Sequence, residues 1–157
     1  MMDLEKKREN RSDPSFTFKN RVKRIIWNIS YYILIRYSPV FFRSWRIYIY
    51  NLFGAKINNN SNIYPKAKVW APWNLIMESH TCLANDVYIY NQAIVTIKEY
   101  ALISQGAHIC SGSHDFNSKN FTLIIKPIVI GRHAWVASEA FVGPGVYVGE
   151  GSILSAR

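Results

Sequence analysis

Histidine is the side chain best suited to accept a proton near neutral pH, and this 157-residue chain has four: His80, His108, His114 and His133. The two cysteines, Cys82 and Cys110, have neither CxxC nor other ligand-like spacing. Two thiols without a disulfide framework fit a reducing compartment. A zinc site would need several histidines converging on one ion. His108 and His114 lie six residues apart with no further histidine to pair with them, so no metal is expected. A positioned imidazole could serve as a general base, and the question is which of the four.

The elements that position these residues follow from a repeat. An aliphatic residue returns every six positions: Ile57, Ile63, Val69; Met77, Leu83, Ile89; Ile97, Ile103, Ile109; then Ile130, Val136, Val142, Val148 and Leu154. Small or β-branched residues follow most of these anchors at the fourth place, among them Ser61, Ala67, Ala101, Ala107, Ser113, Ala134 and Ala140. A helix would show a period of 3.6. A period of six suits a coil of short strands, each filling the interior with one aliphatic residue and needing a small one where corners pinch the core. The anchors fall in groups of three, and insertions of two, two and fifteen residues separate the groups. With three repeats per triangular coil, all three insertions lie on one corner: two small bulges, then a loop over 114–127. His80 and His133 hold the fourth place of a repeat and His108 the last, all expected outward on regular faces. His114 alone begins the long insertion. The small-residue rule accounts for Ser113 as core packing.

The formal charge of +9 is unevenly placed. Residues 1–56 carry twelve of the nineteen Lys and Arg and four of the ten acids; residues 57–157 carry seven and six. Basic residues spread through a short aromatic leader, not along a groove, speak against nucleic-acid binding. Residues 1–15 are polar and charged, with no apolar signal region, and are expected to fray. Over 16–56 the spacing predicts two helices. The first carries Val22, Ile25, Ile26, Ile29 and Ile33 on one side; the second is capped by Ser38-Pro39 and stopped at Gly54. They would pack on one end of the repeat or touch an anionic membrane surface. The longest uncharged run of the leader, 25–35, is too short to span a bilayer, which needs about 20 residues. A cytoplasmic protein is expected, at the inner face of the membrane if the leader makes that contact.

Five segments carry a family resemblance: Ala71-Pro72-Trp73-Asn74-Leu75, Ile103-Ser104-Gln105-Gly106-Ala107, Cys110-Ser111-Gly112-Ser113-His114-Asp115, Lys126-Pro127-Ile128-Val129-Ile130-Gly131 and Phe141-Val142-Gly143-Pro144-Gly145-Val146. In order and spacing the chain resembles the hexapeptide-repeat acetyltransferases of colanic-acid and related exopolysaccharide synthesis, relatives of the maltose, galactoside and nodulation O-acetyltransferases. The resemblance implies an all-β fold, a left-handed parallel β-helix over 57–157 preceded by the short helical segment. It also implies a homotrimer, acetyl-CoA as donor, a sugar acceptor, and active sites between neighbouring subunits. Spacing alone gives no handedness, because most parallel crossovers are right-handed.

By the same resemblance His114 matches the catalytic histidine, with Asp115 beside it either orienting the imidazole or shaping the turn. Asn91 resembles a substrate-side asparagine, with an ordinary turn residue as the alternative. Trp135 matches a tryptophan that packs on the acetyl-CoA arm, or packs between subunits. Gly143 and Gly145 would let the pantetheine approach the backbone, although glycine at a corner also has a conformational explanation. Family members run on past Arg157, so a missing C-terminal coil and cap are expected. A truncated, catalytically impaired remnant that only oligomerises or sits at a membrane is therefore the alternative to an active O-acetyltransferase.

Overall fold

The computed structural model describes residues 17–118 and 121–156. The tail expected over 1–15 lies outside them. From Lys56 the chain winds as a parallel β-helix with three sheets, one for each face of a triangular section. The anchors stack in register. Ile57, Met77, Ile97, Ile130 and Val148 form one column on the first face. Ile63, Leu83, Ile103, Val136 and Leu154 form the second. Val69, Ile89, Ile109 and Val142 form the third. Most of these side chains are fully buried, each contributing about 2 kcal/mol relative to exposure. The pairing is coil to coil, so no single turn buries its own core.

Two corner types are held differently. Between the first and second faces the chain turns through left-handed residues, His80 (φ 57°), Tyr100 (φ 59°) and His133 (φ 56°). Their rings stack with centroids 4.8 and 4.9 Å apart. His80 and His133 thus point outward, as expected, but from a corner and not from a flat face. Between the third and first faces lie the insertions. There the inward residue is the second after the anchor, namely Ala71, Asn91 and Ser111, all fully buried. Ser113 is therefore not a core residue, contrary to the small-residue rule. The chain has left the coil by that point, and Ser113 is exposed on a strand of the insertion.

The leader folds as α1 (Phe18–Ser30), a single π-helical turn (Tyr31–Ile35) and α2 (Arg43–Leu52). Its task follows from hydrogen-bond accounting. Backbone N–H groups of each coil donate to carbonyls of the next, as Tyr64 to Leu83 and Trp70 to Ile89. The carbonyls of the first coil are left facing outward, and buried unpaired carbonyls are costly. Leader side chains supply the donors. Trp27 Nε1 bonds Val69 O at 2.7 Å, Arg46 Nε bonds Ile63 O at 2.6 Å, and Tyr50 Oη bonds Ala67 O at 3.2 Å. Asn51 reaches Ile57 with both amide ends.

One expectation for the leader is corrected. Ser38-Pro39 does not start the second helix: Ser38 Oγ donates to Ile35 O and closes the preceding turn. Residues 39–42 bend because Arg46, fully buried, also donates to Pro39 O and Val40 O at 2.7 and 2.6 Å. Gly54 (φ 93°) does end α2, with Ala55 N–H bonded to Tyr50 O in the closing geometry of a left-handed cap. The face that packs on the coil is not the aliphatic row named from the sequence. The buried residues are Trp27, Tyr31 and Ile35, whereas Val22, Ile25, Ile26, Ile29 and Ile33 stay exposed.

Candidate active site

The fifteen-residue insertion is a β-hairpin. Gly112–His114 runs antiparallel to Leu123–Ile125, with Ser113 opposite Ile124 and His114 opposite Leu123. Its base is pinned on the corner ladder: Ser111 Oγ accepts from Ala93 N at 2.9 Å, and Lys126 N donates to Ser111 O at 2.9 Å. Cys110 Sγ lies 3.1 Å from Gly112 O. A Cβ at Gly112 would overlap the side-chain amide of Gln92, whose flexible end would have to move aside. Gln92 in turn donates to Tyr90 Oη at 2.9 Å. Gln92 and Tyr90 are thus supports that the repeat pattern could not reveal.

His114 is exposed, so substrate can reach it. Its Nδ1 lies 2.9 Å from the carbonyl oxygen of Phe121. A carbonyl can only accept, so Nδ1 carries the proton, and in the neutral ring Nε2 is the nitrogen with the lone pair. The ring also lies nearly parallel to the Phe121 ring, 17° between planes and 5.0 Å between centroids. Among the described residues Asp115 makes no hydrogen bond to the imidazole. Its Oδ1 accepts from Asn117 N at 2.9 Å and its backbone N–H bonds Thr122 O, which is the turn-shaping alternative. Sequence could not single out Phe121, because the bond uses a main-chain atom that every residue has.

Asn91 lies on the same edge one coil earlier but faces inward. Its Oδ1 accepts from Ala71 N at 2.9 Å and its Nδ2 donates to Ala71 O at 2.7 Å. With 0% exposure, Asn91 bridges two coils across the corner. Gly143 and Gly145 occupy that edge one coil later. Gly145 (φ 77°) is in the left-handed region, and a Cβ there would come within 3.0 Å of Lys126 Cδ on the hairpin's return. At Gly143 the nearest atom to a Cβ would be Phe141 Cε1 at 3.5 Å, so the backbone is approachable.

Trp135 is elsewhere. It stands outward on the second face, in a column with Cys82, Leu102 and Ile153. In a triangular section that face is opposite the corner carrying the hairpin. One chain therefore gathers His114, Asp115, Asn91, Gly143 and Gly145 on a single edge and leaves Trp135 on the far side. Trp135 Nε1 donates to Ser104 Oγ at 2.8 Å. Ser104 lines a groove of about 550 Å³ with Tyr64, Cys82, Leu102 and Gln105. Both cysteines are free thiols, and burial pushes the Cys82 thiol pKa up. Among the described residues no three His, Cys, Asp or Glu side chains come together in a way that could hold a metal ion.

No family model matches the chain. Over 138 residues it is 38% identical to an Escherichia coli K12 protein named as the colanic acid biosynthesis acetyltransferase WcaF, covering 88% of this chain and 76% of the relative. Among solved structures it is similar to the hexapeptide-repeat acetyltransferase VCA0836 of Vibrio cholerae, complexed with acetyl coenzyme A. That likeness has a TM-score of 0.78 at 21% identity and covers 99% of this chain and 85% of that one. A galactoside acetyltransferase in complex with coenzyme A gives a TM-score of 0.76 at 19% identity, covering 98% and 78%. The shared fold is the left-handed parallel β-helix expected from the resemblance. With a repeat that closes in register, a histidine-bearing hairpin at the inserted corner and this degree of identity, the chain belongs to the hexapeptide-repeat acetyltransferases, in the colanic-acid type of that family.

Proposed function

We propose that the protein transfers an acetyl group from acetyl-CoA to a sugar hydroxyl of a surface-polysaccharide precursor in the cytoplasm, with His114 as general base. The observation that carries this reading is the bond from His114 Nδ1 to Phe121 O, which leaves Nε2 as an acceptor on an exposed ring. The hydroxyl proton passes to Nε2 as its oxygen attacks the thioester carbonyl carbon. The tetrahedral intermediate then expels the thiolate of coenzyme A, breaking the C–S bond, and the imidazolium returns the proton to that thiolate. Nε2 ends as it began, so one imidazole suffices for both proton transfers.

The donor fits two features that lie apart in one chain. The groove beside Trp135 and Ser104 offers an apolar wall for an extended arm. The approachable backbone at Gly143, on the hairpin edge, suits close contact with a pantetheine. A homotrimer would bring the edge of one copy to the second face of its neighbour, so that Trp135 of one subunit and His114 of another serve one site. Exposed Leu102, Trp135 and Ile153 give that face the apolar character such an interface needs.

The test is acetyl-CoA-dependent release of free thiol with pooled nucleotide sugars and oligosaccharides, comparing the protein with His114→Ala. Acceptor-dependent turnover should fall by about 10²–10⁴-fold in the variant. Equal turnover in both proteins would refute the base. No turnover from a folded, trimeric protein would favour the impaired remnant.

A further inference from the structure

Among the described residues nothing covers the apolar row of the leader. Phe18, Ile25, Ile29 and Ile33 are exposed along α1 and its continuation, Ile33 to 72%, and in the second half of the leader Phe41 and Leu52 are exposed as well. Packing does not need these side chains, because Trp27, Tyr31, Arg46 and Tyr50 already tie the leader to the first coil. Around the row the chain is unusually one-signed. Residues 17–56 contain eight Lys and Arg and no Asp or Glu. Of the eight, Arg46 is buried, while Lys19, Arg21, Lys23 and Arg43 are exposed.

We propose that the leader is a membrane-surface anchor, laying its apolar row into the headgroup boundary of an anionic bilayer with the basic residues at the phosphate level. An amphipathic helix with aromatic and aliphatic residues on one side and Lys and Arg on the other binds in this way, and each cation near the surface adds to the attraction. A second copy of the chain is a poor occupant. Its leader carries the same positive charge, and residues 57–157 have seven basic and six acidic residues, so they offer no acidic counterpart. Among the described residues no helix is long and apolar enough to cross the membrane, so the geometry is one of lying on the surface. The consequence would be a β-helix held at the membrane by its first-coil end, independently of the chemistry at His114.

Flotation of the full chain with vesicles tests this without donor or acceptor. The protein should float with vesicles of phosphatidylcholine and phosphatidylglycerol and not with phosphatidylcholine alone, and added salt should release it. Binding should fall by at least about tenfold in Ile25→Asp/Ile29→Asp and by about fivefold in Lys19→Ala. Both changes are at exposed positions, and circular dichroism would confirm that the fold survives. Failure of the wild-type chain to float, or equal flotation of the Asp variant, would overturn the proposal. So would a Asp variant that breaks up an oligomer the wild type forms in the absence of vesicles, since the row would then be an interface between copies.

Discussion

The imidazole of His114 and the residue Phe121 are coupled twice, by a 2.9 Å bond from Nδ1 to the Phe121 carbonyl and by ring stacking at 5.0 Å. The two residues are seven apart, on either side of the hairpin turn, so the turn that closes the insertion also sets the tautomer. A backbone carbonyl here does the orienting that a carboxylate does in many histidine sites.

With a main-chain carbonyl bonded to Nδ1, the charge of Asp115 should be dispensable. Asp115→Asn keeps the side-chain oxygen that accepts from Asn117 N, and turnover should stay within about threefold of wild type. A carboxylate that oriented the imidazole would instead cost on the order of 10⁴-fold when made an amide. Steady-state thiol release from the two proteins decides between these. A loss of that larger size would return Asp115 to the catalytic group.

Much of the fold was legible because the interior of a β-helix accepts one aliphatic residue per face and little else. The three columns headed by Ile57, Ile63 and Val69 stack as the six-residue period requires, and the insertions do share a corner. Ser113 was misread because the corner with insertions follows another rule, placing Ala71, Asn91 and Ser111 inward. The packing face of the leader is hidden from the sequence for a different reason. Its apolar periodicity marks a face, but which face packs is decided by outward carbonyls on the first coil, satisfied by Trp27, Arg46 and Tyr50. Main-chain acceptors leave no trace in side-chain patterning. The place of His114 at the start of the insertion was legible from spacing, whereas the contacts of Phe121, Gln92 and Ser104 are not encoded by spacing.

Asn91 is a residue whose two readings separate cleanly. As a corner bridge it satisfies both the N–H and the carbonyl of buried Ala71. Asn91→Ala should then lower unfolding stability by about 2 kcal/mol, the cost of stranding buried polar groups. The Michaelis constant for acceptor should be unchanged at temperatures where the variant is folded. Unfolding in urea and acceptor titration, run on the same preparation, give both numbers. An intact stability with a weakened acceptor constant would restore the substrate-side role.

Arg46 poses the converse case, a buried cation with no acidic partner in its bonds. Burial lowers its pKa, yet its guanidinium is kept by four acceptors: Ile63 O, Pro39 O, Val40 O and Ser38 Oγ. They lie in directions that a planar fork reaches and a single ammonium does not. Arg46→Lys should therefore cost about 3 kcal/mol despite conserving charge. Hydrogen exchange should show the segment 38–46 opening first. A Lys variant as stable as wild type would mean that charge alone, and not the fork, holds the leader to the first coil.

His108 provides a pH signature of folding that is separate from catalysis. Its ring lies between Tyr88, at 5.1 Å and 24°, and Phe141, edge-on at 5.5 Å. Nε2 is buried with no partner among the described residues. Burial lowers the His108 pKa, so as pH falls the unfolded chain takes up its proton first, near the ordinary value of about 6.5. The state that binds more protons gains as pH falls. The His108 contribution to stability is therefore fully present above that value, declines as pH drops through the folded value, and levels off below it. His108→Phe keeps an aromatic ring in the stack and removes the titration. Urea midpoints collected from about pH 8 to about pH 5 should decline less steeply for the variant than for wild type. Identical slopes would mean that the folded ring titrates as it does in the unfolded chain, and that Nε2 reaches water by movement of Tyr88 or Phe141.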